Sequence, residues 1–266
     1  MRKRSRARVV LFVAIVLGVL AAFVLSKRAV RRPSSAERSA AGGAAEDQDD
    51  PSAIVEDARR YEVRTWSFPL ARFELRIEDA AMTTALDGVL ERAEGELAVN
   101  GGFFGPDGKP VGLAVSNGAV LSRLSKQMSG GVLTVDDDEA HLFAAETFDV
   151  PDSGAHFAVQ CRPRLVVDGV ANVKSDDGKR AERSALCVRD GGRVVDVVIV
   201  RGSHDGEIPG PSLFALAKHL AGAGCESALN LDGGPSTGVA WREDGGVKLL
   251  APRSPVRHAI ILREKR

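Results

Sequence analysis

Cysteine is scarce: the 266-residue chain has three, Cys161, Cys187 and Cys225. So few, and an odd number, exclude a small fold stapled by a disulfide framework. At most one bridge can form, and apolar surroundings favour buried free thiols at all three positions. Net charge is also missing, because 36 acidic residues offset 36 basic ones. That balance removes the electrostatic reason to expect a nucleic-acid partner. No Cys/His spacing resembles a zinc motif, and no internal repeat is visible. What remains is ordinary globular composition, 44% hydrophobic and 27% charged, enough for one sizeable core.

Charge is nevertheless uneven along the chain. Five basic side chains lie between Arg2 and Arg8, followed by an uncharged run, Val9–Ser26, and then by Lys27, Arg28, Arg31 and Arg32. A membrane-spanning helix needs about 17 apolar residues at the least, and this run reaches that length. Lys27 and Arg28 follow it at once and no A-x-A cleavage pattern intervenes, so an uncleaved signal-anchor is favoured over a cleaved signal peptide. Residues 1–30 are accordingly read as a basic head with a single transmembrane helix. The domain behind it would lie in the periplasm or outside the cell. Residues 31–59, with a Ser/Ala/Gly patch and then Glu46, Asp47, Asp49, Asp50, Glu56 and Asp57, read as a solvated acidic linker. Residues 60–266 form the domain.

Within the domain, Arg72–Glu78 alternates apolar and charged residues as a half-buried strand does. Met82–Ala93 switches to helical spacing, with Thr83 or a nearby residue as its cap. Short apolar runs then alternate with turn residues at Asn117-Gly118, Asp168-Gly169 and Asp190-Gly191-Gly192, a pattern of hairpins. Val194–Val200 is almost wholly apolar, as a strand covered on both faces would be. Ser212–Ala221 is the clearest helix, capped by Ser212 and followed by Gly222 and Gly224. A short strand, Ala228–Leu231, delivers Asp232, and His258–Leu262 is the last strand. These elements predict an α+β fold: a mixed, hairpin-rich β-sheet core with a few packed helices, plus the N-terminal transmembrane helix.

Three segments place polar residues beside glycines at strand ends: VNGGFFGP at 99–106, RAERSAL at 180–186 and ALNLDGGPSTG at 228–238. Each is first a turn sequence, and Arg180 with Arg183 is first a solvated basic pair. Together with PVGLAVSNGAV at 110–120, RLVVDG at 164–169, the helix beginning at GPSLFALAKHL and PVRHAIIL at 255–262, they resemble the phosphodiester glycosidase family. Members include the lysosomal uncovering enzyme and bacterial proteins labelled for exopolysaccharide biosynthesis. The resemblance spans roughly Leu97 to Leu262.

The resemblance implies hydrolysis of a sugar-1-phosphate diester, releasing the sugar and leaving a phosphomonoester. Asp232, Arg183 and Asn100 are then the catalytic candidates. A guanidinium can bind a phosphodiester bidentately, which suits Arg183, and a strand-end carboxylate suits acid–base work or sugar binding. Gly101, Gly102, Gly233 and Gly234 would offer backbone N–H groups, while Asn230, Ser236 and His204 would bind substrate. Pro235 departs from the family pattern, in which a further glycine commonly follows Asp-Gly-Gly. No cofactor and no protein metal site is expected. A divalent cation such as calcium stays open, although Asp136–Glu139 reads first as a solvated hairpin turn. The expected partners are a carbohydrate phosphodiester in envelope or exopolysaccharide material and the membrane. The alternative is a non-catalytic glycan-binding or assembly module of a polysaccharide export system. A transferase at the same site and a Cys-His hydrolase are weaker readings.

Overall fold

The computed structural model describes residues 51–80, 85–149, 155–203, 207 and 209–266. Val9–Ser26, residues 82–84 of the expected first helix, and His204 lie outside the described residues. Among the described residues seventeen strands form three sheets, and every strand pairing is antiparallel. The seven-stranded sheet runs β1(Ala53–Glu56), β2(Arg59–Pro69), β13(Val194–Val200), β12(Arg183–Arg189), β14(Ser227–Asn230), β10(Arg164–Val167) and β11(Val170–Ala171). A five-stranded sheet runs β16(Gly246–Leu250), β15(Val239–Glu243), β4(Leu97–Asn100), β17(His258–Glu264) and β3(Phe73–Asp79). The third runs β6(Ala119–Ser122), β5(Ala114–Ser116), β9(Phe157–Cys161), β7(Gly131–Asp136) and β8(Glu139–Ala144).

The α+β, mixed-sheet expectation is therefore corrected: the described domain is predominantly β, and no strand pair is parallel. Among the described residues only two α-helices occur, α1(Leu86–Arg92) and α2(Leu213–Gly222). Neither builds a layer; each covers one outer sheet face. None of the described helices is long and apolar enough to cross a membrane. Strand β1 also takes up residues assigned by composition to the linker, because Ala53 and Ile54 are buried.

The hairpin and strand chemistry explains the architecture. At the β5–β6, β10–β11 and β12–β13 turns, Asn117-Gly118, Asp168-Gly169 and Asp190-Gly191-Gly192 all have positive φ. Such turns match the twist of antiparallel partners. Along β13, Val195, Val197 and Ile199 enter the main core between the three sheets, while Val198 and Val200 enter the core beneath α2. This strand is covered on both faces, as its composition required. Small residues make room for the helices. Leu216, Ala217 and Leu220 of α2 rest over Ala185 and Ala228, and Leu86, Val89 and Leu90 of α1 rest over Ala98, Ala240 and Ala259. Burying one large aliphatic side chain stabilises by about 1.5–3 kcal/mol, so these short stripes suffice to dock both helices.

Cys187 on β12 is bridged to Cys225, which follows α2, with a Cα–Cα distance of 5.6 Å. The free-thiol reading holds only for Cys161, which is buried. Burial pushes the Cys161 thiol up to about 12, so it carries no thiolate at neutral pH. With the other two oxidised, no cysteine is left as the nucleophile of a Cys-His hydrolase.

Candidate active site

Three strand ends converge on the candidate site. Antiparallel pairing of β12 with β14 sets Ala185 opposite Asn230, which brings Arg183 at the start of β12 beside Asp232, just past β14. Strand β4 arrives from the neighbouring sheet and ends at Asn100. Backbone bonds stitch the ends together: Leu231 N–H donates to Ser184 O at 2.9 Å, and Asp232 N–H to Gly101 O at 3.3 Å.

Asn100 is the knot of this arrangement. Its side chain is buried, and its Nδ2 donates to Asp232 O at 2.7 Å. Its Oδ1 accepts from Ser184 Oγ at 2.6 Å and from Gly238 N–H at 3.2 Å. One amide thus holds all three sequence segments together. Because its polar atoms are already spent, Asn100 positions Asp232 and does not face the cleft.

The cleft itself has a volume of about 460 Å³ and is lined by Asp232, Arg183, Asn230, Gly233 and Gly234 together with Phe103, Ser129, Gly130, Arg162, Pro163, Ala181, Leu213 and Leu231. Burial raises the Asp232 pKa above the ordinary carboxylate value, while hydrogen bonds from Ser236 and Gly233 pull against that rise. Gly233 N–H donates to Asp232 Oδ1 at 2.9 Å. The result is an oriented carboxylate with a strengthened affinity for a proton.

Arg183 is buried, and desolvation lowers its pKa. Its Nε donates to Pro211 O at 3.0 Å, just ahead of the N-terminus of α2, and Nη2 to Lys179 O at 3.4 Å. Among the described residues no carboxylate lies within ion-pair distance of it. Arg180, three residues earlier, behaves in the opposite way, pairing with Glu56, Asp57 and Asp176. Glu56 in turn accepts from the backbone N–H of Ser212 at 2.7 Å, and Ser212 Oγ caps α2 by accepting from Ala215 N–H at 3.0 Å. Asp177 and Glu56 favour the Arg183 charge from a distance, but its hydrogen bonds go to carbonyls, so the guanidinium has capacity left for an anion.

The glycines serve differently from their expected role. Gly101 N–H donates to His258 O, and Gly234 N–H to Glu182 O. With Gly233 N–H turned to Asp232, three of the four expected donors are engaged by the protein. Gly101, Gly102 and Gly233 instead permit close approach. A Cβ on Gly101 would stand 2.4 Å from His258 Cδ2, and one on Gly102 would stand 2.9 Å from Cys161 Sγ. Gly234 has φ +60°, which glycine adopts without strain. Pro235 occupies a short 3₁₀ turn, Gly234–Ser236, and its carbonyl accepts from Arg253 N–H at 2.7 Å and Ser254 N–H at 3.0 Å. Ser236 is buried and its side chain hydrogen-bonds the Asp232 carboxylate. Asn230 donates through Nδ2 to Arg162 O at 2.8 Å and Leu231 O at 2.7 Å.

Two residues at the site escaped the sequence reading. Glu182 is buried; its Oε1 accepts from Arg201 Nε at 2.7 Å and Gly202 N–H at 3.1 Å. Arg253 Nη2 stands 3.0 Å from its other oxygen in ion-pair contact without hydrogen-bond alignment. The only signal was an acid inside a basic strand start, R-A-E-R. Arg162 was the second, and its signal was the Arg-Pro-Arg run at the end of an apolar strand. No group of metal-ligating side chains occurs among the described residues.

The family model for phosphodiester glycosidase matches residues 93–262. No curated protein matches the chain. Among solved structures, the catalytic domain of zebrafish N-acetylglucosamine-1-phosphodiester α-N-acetylglucosaminidase, auto-inhibited by its pro-peptide, is similar with a TM-score of 0.64 at 17% identity. That match covers 80% of this chain and 81% of the other. A hypothetical protein from Synechocystis matches with a TM-score of 0.59 at 15% identity, over 80% of this chain and 61% of that one. At such identities the structural likeness speaks for the fold alone. The family match extends over most of the chain and across all three converging strand ends, and the chain belongs to the phosphodiester glycosidase family.

Proposed function

We propose that this protein is an exported hydrolase that cleaves a sugar-1-phosphodiester in envelope or exopolysaccharide material. The observation that carries the reading is the meeting of Asp232 and Arg183 in one cleft of a member of this family. Arg183, buried and without a carboxylate partner, binds the phosphodiester monoanion. Asp232, its proton affinity raised by burial, takes a proton from the attacking water. The water oxygen bonds to the anomeric carbon, and the electron pair of the glycosidic C–O bond passes to the phosphate oxygen. The products are the free sugar, a phosphomonoester and the proton that Asp232 returns to solvent. A phosphate is already a good leaving group, which fits a cleft lined, among the described residues, by one carboxylate where ordinary glycosidases use two. Two features support export: the basic-then-apolar N-terminal sequence and the Cys187–Cys225 bridge, since disulfides persist mainly in oxidising compartments.

The test is turnover of a synthetic sugar-1-phosphate aryl diester in ¹⁸O-labelled water. The expected outcome is label in the released sugar. Label in the phosphate would mean P–O cleavage and would overturn the glycosidase reading. Tight glycan binding with no release of sugar would favour the non-catalytic module.

A further inference from the structure

Arg162 lies at the end of β9, on the same cleft as Asp232 and Arg183. Its stem is held firmly. The Arg162 carbonyl accepts from Asn230 Nδ2 at 2.8 Å. Gly130, with φ +131°, packs so closely that an added Cβ would stand 2.6 Å from Arg162 Cβ. The side chain therefore leaves a fixed point on the cleft wall. It is exposed, and it makes no ion pair with any described carboxylate. Most other arginines that carry a structural load do pair: Arg180 with three acids, Arg189 with Asp196, and Arg201 and Arg253 with Glu182. The two arginines left without a carboxylate around this cleft differ in burial. Arg183 is buried; Arg162 stands on the open side.

The chemistry of the reaction asks for two cations with different tasks. The phosphodiester arrives with one negative charge, and the phosphomonoester departs with close to two. A group that meets the second charge is used only as the bond breaks, and such interactions raise turnover instead of ground-state binding. We propose that Arg162 binds the leaving phosphomonoester, answering the charge that develops on the phosphate, while Arg183 holds the charge already present. This inference rests on the hydrolase reading above. Among the described residues Asp232 is the one carboxylate on this cleft, and a leaving group stabilised as an anion by Arg162 needs no proton from a second one.

The experiment compares wild type with Arg162→Gln and Arg162→Lys. Binding of methyl phosphate and dimethyl phosphate is measured by calorimetry at pH 7.5 and pH 5, and turnover is measured on the aryl diester. Arg162→Gln should weaken methyl phosphate binding about 10-fold at pH 7.5 while changing dimethyl phosphate less than about 3-fold. Arg162→Lys should retain part of the preference. At pH 5 the monoester is largely a monoanion, since its second pKa is about 6, and the difference between wild type and Arg162→Gln should shrink. In turnover, kcat should fall about 10-fold with KM little changed. Equal loss on both ligands, or no loss on either, would overturn the proposal. Diester turnover that survives Arg162→Gln with full kcat would overturn it while sparing the hydrolase reading. A dianion preference that depends on Arg162 in a protein releasing no sugar would do the reverse.

Discussion

Beneath the cleft and on its surface, the same three strand ends treat polar groups in opposite ways. Below, Asn100 spends its amide on Ser184, Gly238 and Asp232. Above, Asp232 is partly desolvated, and Arg183 meets carbonyls but no described carboxylate. A saturated amide fixes geometry. An under-compensated charge has capacity left for a ligand, and the fold bears its cost elsewhere. The difference separates positioning from chemistry among residues that a sequence motif presents as one group.

The surface half of the comparison is most sharply tested at Asp232. Asp232→Asn should lower kcat at least about 10³-fold without lowering the melting temperature. The stability sign follows from the raised pKa. Between the ordinary carboxylate value and the raised one the folded state binds more protons than the unfolded state, so ionisation costs stability as pH rises through that window. Asn avoids that cost, and thermal melts at neutral pH should place the variant level with wild type or above it. A clear destabilisation would move Asp232 to the structural side. Arg183→Gln should cost about 10² to 10³ in kcat/KM, with a modest loss of stability of about 1–3 kcal/mol, because the bonds to Pro211 O and Lys179 O are lost but no described ion pair is broken. Chemical denaturation alongside kinetics checks both parts.

Asn100→Ala breaks the comparison from below. It orphans Ser184 Oγ and Gly238 N–H in a buried setting and Asp232 O in a partly buried one, and each unsatisfied buried group costs about 1–3 kcal/mol. A loss of about 3 kcal/mol or more in urea unfolding is expected, with activity falling as a consequence. A variant as stable as wild type but inactive would instead place Asn100 among the groups that contact substrate.

Much of the fold was legible because turn chemistry is local. Asn117-Gly118, Asp168-Gly169 and Asp190-Gly191-Gly192 each encode positive φ, and each makes the expected hairpin. Ser212 caps α2 as its position suggested. Sheet class was less legible, because pairing partners are distant: β4 lies between β15 and β17, and β14 between β12 and β10. Helix signals are local and pairing signals are not, so the sequence predicts a mixed α+β sheet where, among the described residues, every pairing is antiparallel. At the site, the family resemblance grouped Asp232 with Arg183, and the structure sets both on one cleft. The resemblance could not show that Asn100 lies beneath that cleft, or that the glycine N–H groups are mostly engaged within the protein. Arg162 and Glu182 carry only faint local signals for the same reason: their significance is which charges fail to meet, or meet in burial, and that is set by tertiary packing.

His258 gives the smallest and most conditional test. It belongs to the buried half, packed against Gly101, yet its Nδ1 has no hydrogen-bond partner. Burial lowers its pKa to about 4, with nearby Arg257 acting in the same direction and Asp79 opposing. The unfolded chain takes up this proton near pH 6.5 and the folded chain only near 4, so stability is lost as pH falls between those values. At 1.36 kcal/mol per pH unit the loss is about 2 kcal/mol by pH 5 and about 3 below pH 4. Carboxylates add their own acid dependence, so the readout is the difference in slope between wild type and His258→Gln from pH 6.5 to 5. The variant's baseline stability will shift with its altered packing; the slope will not depend on that shift. A flattened slope places His258 as a neutral, unsatisfied member of the floor. An unchanged slope would mean that the ring gains a partner for its proton, and that the floor beneath Gly101 is as saturated as the knot at Asn100.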